Sequence, residues 1–120
     1  MSAHTHHSID YIEFTVSDLD RAKSFYGEAF GWAFTDYAPV YAGIRIGDRE
    51  VGGLTVGEVQ SGGPLVVLYS ADLEQSLASV KQAGGTICRE PFDFPGGRRF
   101  HFYDPSGNQL AVWADAGEHA

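Results

Sequence analysis

Few residues in this chain combine proton-transfer chemistry with ordered surroundings. Three of its five histidines, His4, His6 and His7, crowd the polar N-terminal stretch MSAHTHHS, and His119 lies beside the C-terminus. Only His101 falls inside a patterned segment, RRFHFYDP, where Phe100 and Phe102 alternate with Arg99, His101 and Tyr103. Imidazole titrates near neutral pH, so His101 is a candidate general base or acid. Glu13, in IDYIEFTV, is the other candidate catalytic group, either turned into a cavity or held in an ion pair with Arg45, Arg99 or a neighbour. The H-x-H-H cluster has donors suited to transition metals, but on a flexible tail, residues 1–8, it lacks a scaffold and would bind them only loosely. Cys88 stands alone, which rules out an intrachain disulfide, and it reads as a buried small hydrophobe in a strand.

The elements that must position these groups are legible in the pattern. In IDYIEFTV, Ile12, Phe14 and Val16 alternate with Tyr11, Glu13 and Thr15, which is a strand with two differently dressed faces. SDLDRAKSFYGEAFG follows with helical spacing of Leu19, Ala22, Tyr26 and Ala29, a Ser17 or Asp18 cap and a Gly31 stop. Strands are expected over 33–37, 41–46 and 50–56. After the Gly-rich link 57–64 the order restarts: strand PLVVLYSA, then helix DLEQSLASVKQAGG with an Asp72 cap, then strands near 86–90, 98–103 and 109–114. An offset of 54 residues lays Asp18 over Asp72, Leu19 over Leu73 and Gly31 over Gly85, the mark of a duplicated unit. The expectation is an α+β domain over 9–114, built from two βαβββ modules, 9–57 and 64–114, with helices outside and curled mixed sheets around a cavity. Strand parity sends Tyr11, Glu13, Thr15, Arg45, Tyr69, Arg99, His101, Gln109 and Trp113 to the cavity face. Gly52-Gly53 marks either a close backbone approach or a bulge, and 90–100 either a flap or a plain hairpin.

Composition excludes several classes. With 8 basic and 16 acidic residues, a formal charge of −8, the surface repels phosphate backbones, so nucleic acid is not an expected partner. No apolar run approaches the roughly 20 residues needed to span a bilayer, and a cytoplasmic location follows as the expectation.

The stretches IDYIEFTVSDLDRAKSFYGEAFGW and FHFYDPSGNQLAVW resemble the vicinal oxygen chelate superfamily of glyoxalases, bleomycin-resistance proteins and extradiol dioxygenases. That resemblance implies the two-module fold, a small-molecule ligand and a homodimer. Enzymes of the superfamily hold a divalent metal with His and Glu ligands, and the corresponding positions here are Tyr11, Gly53, Leu65 and Ala111. None is a usual ligand, so no metal or other cofactor is expected. The reading is a metal-free protein that binds a small organic molecule through Tyr11, Glu13, Arg45, Tyr69, Arg99, His101 and Trp113. The alternatives are a metal-dependent lyase or dioxygenase with atypical ligands, a metal-free isomerase or lyase using Glu13 or His101, and a module that only dimerises.

Overall fold

Each helix begins at an aspartate whose carboxylate accepts from a backbone amide of the first turn. Asp18 Oδ1 accepts from Arg21 N at 3.1 Å and opens α1 (Leu19–Phe30); Asp72 Oδ1 accepts from Gln75 N at 3.2 Å and opens α2 (Leu73–Gln82). These bonds satisfy amides that the helix itself leaves without acceptors. Gly31, left-handed at φ +73°, ends α1, and Gly84 at φ +103° follows the end of α2. The structure is a computed structural model that describes residues 4–59 and 63–116. His119 and part of the Gly-rich link lie outside the described residues.

The order of elements is β1 (Ile9–Val16), α1, β2 (Ala33–Ala38), β3 (Tyr41–Ile46), β4 (Arg49–Val56), then β5 (Leu65–Tyr69), α2, β6 (Thr86–Phe94), β7 (Gly97–Tyr103), β8 (Gln109–Asp115). It is α+β, with βαβββ written twice. The chain divides into two compact units, a first-half unit of residues 11–64 and a second-half unit of residues 1–10 and 65–120.

In the first-half unit β1 and β4 run parallel, while β3 pairs antiparallel with both β4 and β2. Leu19 of α1 packs with Ala42, Ile44 and Leu54, and Phe14, Val16, Tyr26 and Trp32 close round them. In the second-half unit β5 and β8 run parallel, and β7 pairs antiparallel with both β8 and β6. Leu73 of α2 packs with Phe100, Phe102, Val112 and Ala114. In both units one apolar face of the strands is covered by the helix. The opposite face is left to other chemistry.

Two local features depart from simple alternation. The β3–β4 register shifts between Ile44 and Arg45, so that Ile44 faces Gly52 and Arg45 faces Glu50; Val51 is the extra residue. This is a bulge, and it turns Val51 onto the first-half core. On β6, shifts lie between Ile87 and Arg89 and between Arg89 and Phe92. Pro91 falls inside the second irregularity, where a strand tolerates a residue with no amide hydrogen. Cys88 falls inside the first and is exposed, which corrects the expectation of a buried thiol: it is the extra residue of an irregular strand that ends the order β5-β8-β7-β6. Residues 90–100 form the β6–β7 hairpin, with Phe94 paired to Gly97.

The histidine segment also differs from the solvated tail read in the sequence. His7 N donates to Tyr69 O at 2.7 Å and Tyr69 N donates to Ser8 O at 3.1 Å, which extends the edge of β5. His6 Nδ1 accepts from Ala71 N at 2.8 Å, and His7 Nε2 lies 3.0 Å from Ser76 Oγ. Polar side chains there find amides and hydroxyls at the start of α2, a scaffold supplied by residues more than 60 positions away in the chain.

Candidate functional site

The expected site residues fall into two groups, one on each unit. In the second-half unit, strand register sets two rows on the face away from α2. Arg89, His101, Ala111 and Val67 make one row, and Phe92, Arg99, Trp113 and Tyr69 make the other. Phe100 and Phe102, alternating with these, belong to the core, so parity alone turns His101 and Arg99 to this face.

His101 is 6% exposed. Its Nδ1 lies 3.1 Å from Gln109 Nε2 and accepts from that amide, so the ring proton sits on Nε2. Nε2 is buried and has no hydrogen-bond acceptor among the described residues. Phe92 stacks on the ring at 5.9 Å between centroids. Burial, helped by repulsion from the Arg99 and Arg89 guanidinium groups, pushes the imidazole pKa down to about 4. His101 is therefore a neutral, buried N–H donor at neutral pH. The Arg89 guanidinium lies 3.7 Å above the Phe92 ring, and Arg99 is 5.6 Å and 5.7 Å from the Phe92 and Phe94 rings.

Along the second row the aromatic surface continues. Phe94 and Trp113 are 6.1 Å apart between centroids, and Trp113 meets Tyr69 at 5.3 Å and 72°. Trp113 Nε1 donates to Asp10 Oδ2 at 3.0 Å, and Tyr69 Oη donates to Asp115 Oδ2 at 3.1 Å. Both polar tips are thus used, and the rings are held in place.

The first-half unit has a different arrangement. Tyr11 Oη and Tyr41 Oη are 2.6 Å apart; Tyr11 donates to Glu50 Oε2 at 3.1 Å and Tyr41 to Glu13 Oε2 at 2.9 Å. Tyr37 Oη donates to Glu50 Oε1. Burial drives the Tyr11 and Tyr41 phenols well above their ordinary range, with the glutamates adding to the effect, and the hydrogen bond to Glu50 raises that of Tyr37. The phenols stay protonated and act as donors. Glycine makes the space: a Cβ on Gly53 would stand 2.1 Å from Tyr41 Oη and 2.7 Å from Tyr11 Oη, and one on Gly43 would collide with the Glu50 carboxylate. Arg45 pairs in register with Glu50 across the β3–β4 ladder, and its charge acts on Tyr37.

Tyr11 and Glu13 are thus joined through Tyr41, and Tyr69, Trp113, Arg99 and His101 share one surface. Tyr41, Tyr37 and Glu50 belong to the first cluster but were absent from the sequence reading. Plain alternation groups Glu50 with Leu54 on the helix side, and only the Val51 bulge reverses it; Gly52-Gly53 was the available signal. Asp10, His4, Arg89, Phe92 and Phe94 were missed because their partners come from remote segments or from an irregular strand.

The four positions that correspond to metal ligands do not fit a divalent ion. The space beside Gly53 is filled by two phenol oxygens engaged with Glu13 and Glu50, Ala111 is fully buried beside His101, and Leu65 offers no donor. Among the described residues no three His, Cys, Asp or Glu side chains come together as metal ligands would. No described helix is long and apolar enough to cross a membrane.

Comparison with known proteins sets this geometry in a family. The family profile described as the Glyoxalase/Bleomycin resistance protein/Dioxygenase superfamily matches residues 8–112. A curated relative, the anthracycline biosynthesis protein DauV of Streptomyces sp. (strain C5), is 30% identical over 115 residues, covering 88% of this chain. The match spans 40% of that relative's length. The Mn(II)-bound glyoxalase from Novosphingobium aromaticivorans superposes with a TM-score of 0.71 at 25% identity, over 92% of this chain and 40% of that one. Methylmalonyl-CoA epimerase from Mycobacterium tuberculosis does so with 0.74 at 14% identity, over 98% and 94%, a likeness of fold alone.

Proposed function

Given that the chain belongs to the Glyoxalase/Bleomycin resistance protein/Dioxygenase superfamily, we propose that residues 9–114 act as one metal-free domain that binds a small organic molecule on the aromatic face of the second-half unit. The observation that carries this reading is His101, whose buried Nε2–H has no acceptor among the described residues. Leaving such a donor unanswered costs about 1–3 kcal/mol, a penalty that a ligand oxygen at that position would remove. Beside it lie Phe92 and Phe94, which offer ring surface, and Arg89 and Arg99, which favour a partial or full negative charge. The ligand class that fits is a flat aromatic carrying a carbonyl, phenolate or carboxylate oxygen. A fused-ring quinone meets both requirements, and the likeness to an anthracycline biosynthesis protein agrees with that choice.

Proton transfer by His101 is the weaker alternative. Its Nδ1 lone pair is engaged by Gln109 and its pKa of about 4 leaves it a poor base at neutral pH. Glu13 is held by Tyr41 and serves the first-half network in this reading. The protein is expected in the cytoplasm as a homodimer, for which the exposed Phe25 and Phe30 on α1 offer apolar surface.

The test is titration with an anthraquinone carboxylate, followed by calorimetry and thermal stabilisation. A ligand at a hundred times its Kd should stabilise the fold by about 2.7 kcal/mol. His101→Phe keeps a ring but removes the N–H and should weaken binding at least tenfold, a loss of about 1.4 kcal/mol. Unchanged affinity in that variant would sink the assignment.

A further inference from the structure

We propose that Asp10, Tyr69 and Trp113 form a receptor for an N–H-bearing heteroaromatic ring of the imidazole type, and that His4 is its tethered occupant. The inference goes beyond the ligand reading above and stands whether or not His101 binds anything.

The parts of the receptor hold one another in place. Trp113 Nε1 donates to Asp10 Oδ2 at 3.0 Å, which aims the other carboxylate oxygen, and the Asp10 side chain is only 6% exposed. Tyr69 and Trp113 meet at 72° and make an aromatic corner. Into that corner the His4 ring stacks on Tyr69 at 4.9 Å and 23°, turns its edge to Trp113 at 4.9 Å and 85°, and places Nδ1 2.8 Å from Asp10 Oδ1. One group thus uses two π faces and a buried acceptor at once, which is what recognition of a small polar aromatic requires. The occupant's own side chain is 30% exposed, so solvent and competitors reach it.

His4 is held there by the chain that follows it. The strand-like bonds between His7, Ser8 and Tyr69 anchor the segment, and Ser8 N and Oγ both donate to Thr5 O, at 3.1 Å and 2.9 Å. His7 has a φ of +64°, a conformation side chains rarely adopt, and it is the one non-glycine residue with positive φ among the described residues. The turn at His7 aims the preceding residues back over Tyr69. A tether this short gives His4 an effective concentration on the order of millimolar or more at its receptor. Free ligand must compete with that, so removing the His4 ring should expose the site.

The experiment follows the two tryptophan indole N–H resonances of the full chain by NMR during titration with imidazole, Trp32 serving as the internal reference. In His4→Ala the Trp113 signal should shift saturably, with an affinity at least tenfold tighter than in the unaltered chain. Adding Asp10→Asn to that variant should abolish the response. In the unaltered chain, high imidazole should release His4, whose ring protons then lose the ring-current shift from Tyr69 and Trp113. The Gln109 side-chain amide reports separately on imidazole landing at His101. Equal affinity with and without His4, or a Trp113 signal that stays still in a His4→Ala chain whose Trp32 indole remains at its native position, overturns the proposal. So do His4 ring protons that do not move while Trp113 does.

Discussion

The faces turned away from the helices differ between the two units in how their polar atoms are used. On the first-half unit, three phenols and two glutamates answer one another: Tyr11 and Tyr37 donate to Glu50, and Tyr41 donates to Glu13. On the second-half unit, His101 presents an N–H with no acceptor among the described residues, flanked by Arg89, Arg99 and aromatic rings. The same backbone plan therefore carries a closed acid and phenol network in one copy and an unanswered donor in the other. A satisfied buried network mainly rigidifies its surroundings, whereas an unanswered buried group is retained at a cost that binding can recover. Gly53 and Ala111 show the divergence at equivalent places, since β1 pairs Glu13 with Gly53 and β5 pairs Val67 with Ala111. Glycine is required where phenol oxygens fill the space; beside His101 a methyl group fits.

The largest expected effect concerns acid. The His101 pKa falls from 6.5 to about 4 on folding, so the unfolded chain binds more protons between those values. Its contribution is complete above pH 6.5 and is lost as pH drops through about 4, amounting to roughly 3 kcal/mol. Denaturant unfolding at stepped pH should show this loss, and His101→Phe should flatten it; an acid limb of the same depth in that variant would mean that the second-half face is not where the unmatched group lies. Next comes space. Gly53→Ala should cost roughly 1–3 kcal/mol by forcing the Tyr11 and Tyr41 hydroxyls apart, while Ala111→Gly should cost about 1 kcal/mol from chain entropy and the loss of one buried methyl group, with no collision. Equal losses in thermal melts would remove the contrast between the two positions. The smallest effect separates stability from binding. Tyr41→Phe should lower stability by about 1 kcal/mol through the donor lost to Glu13 and leave anthraquinone affinity unchanged. Its failure would show as ligand binding that falls together with stability.

Much of this was legible in local pattern. Asp18 and Asp72 announce helix starts because a carboxylate just before an apolar helical repeat has amides to accept from. The alternation Phe100, His101, Phe102 assigned His101 its face because a strand has only two. Tyr69, Arg99, His101 and Trp113 were placed on one surface by the same rule. It did not bring Glu50 to Tyr11, and the expectation of a buried Cys88 rested on residue type; both residues lie at irregularities of strand register. A bulge shifts every side chain before it to the other face, and no local composition demanded these bulges beyond Gly52-Gly53.

The sequence by itself determined the repeated βαβββ order, the helix caps, the apolar stripes that pack Leu54 and Phe100 beneath their helices, and the absence of ordinary metal ligands at the expected positions. These are properties of short windows, set by spacing and side-chain type. Only the tertiary structure decided which donors find acceptors. Asp10 meets Trp113 across 103 positions and His7 meets Ser76 across 69, while His101 Nε2 meets nothing among the described residues. Hydrogen bonding between buried side chains depends on distances of a few tenths of an ångström between distant segments, and such distances are fixed by packing and register rather than by any pattern along the chain.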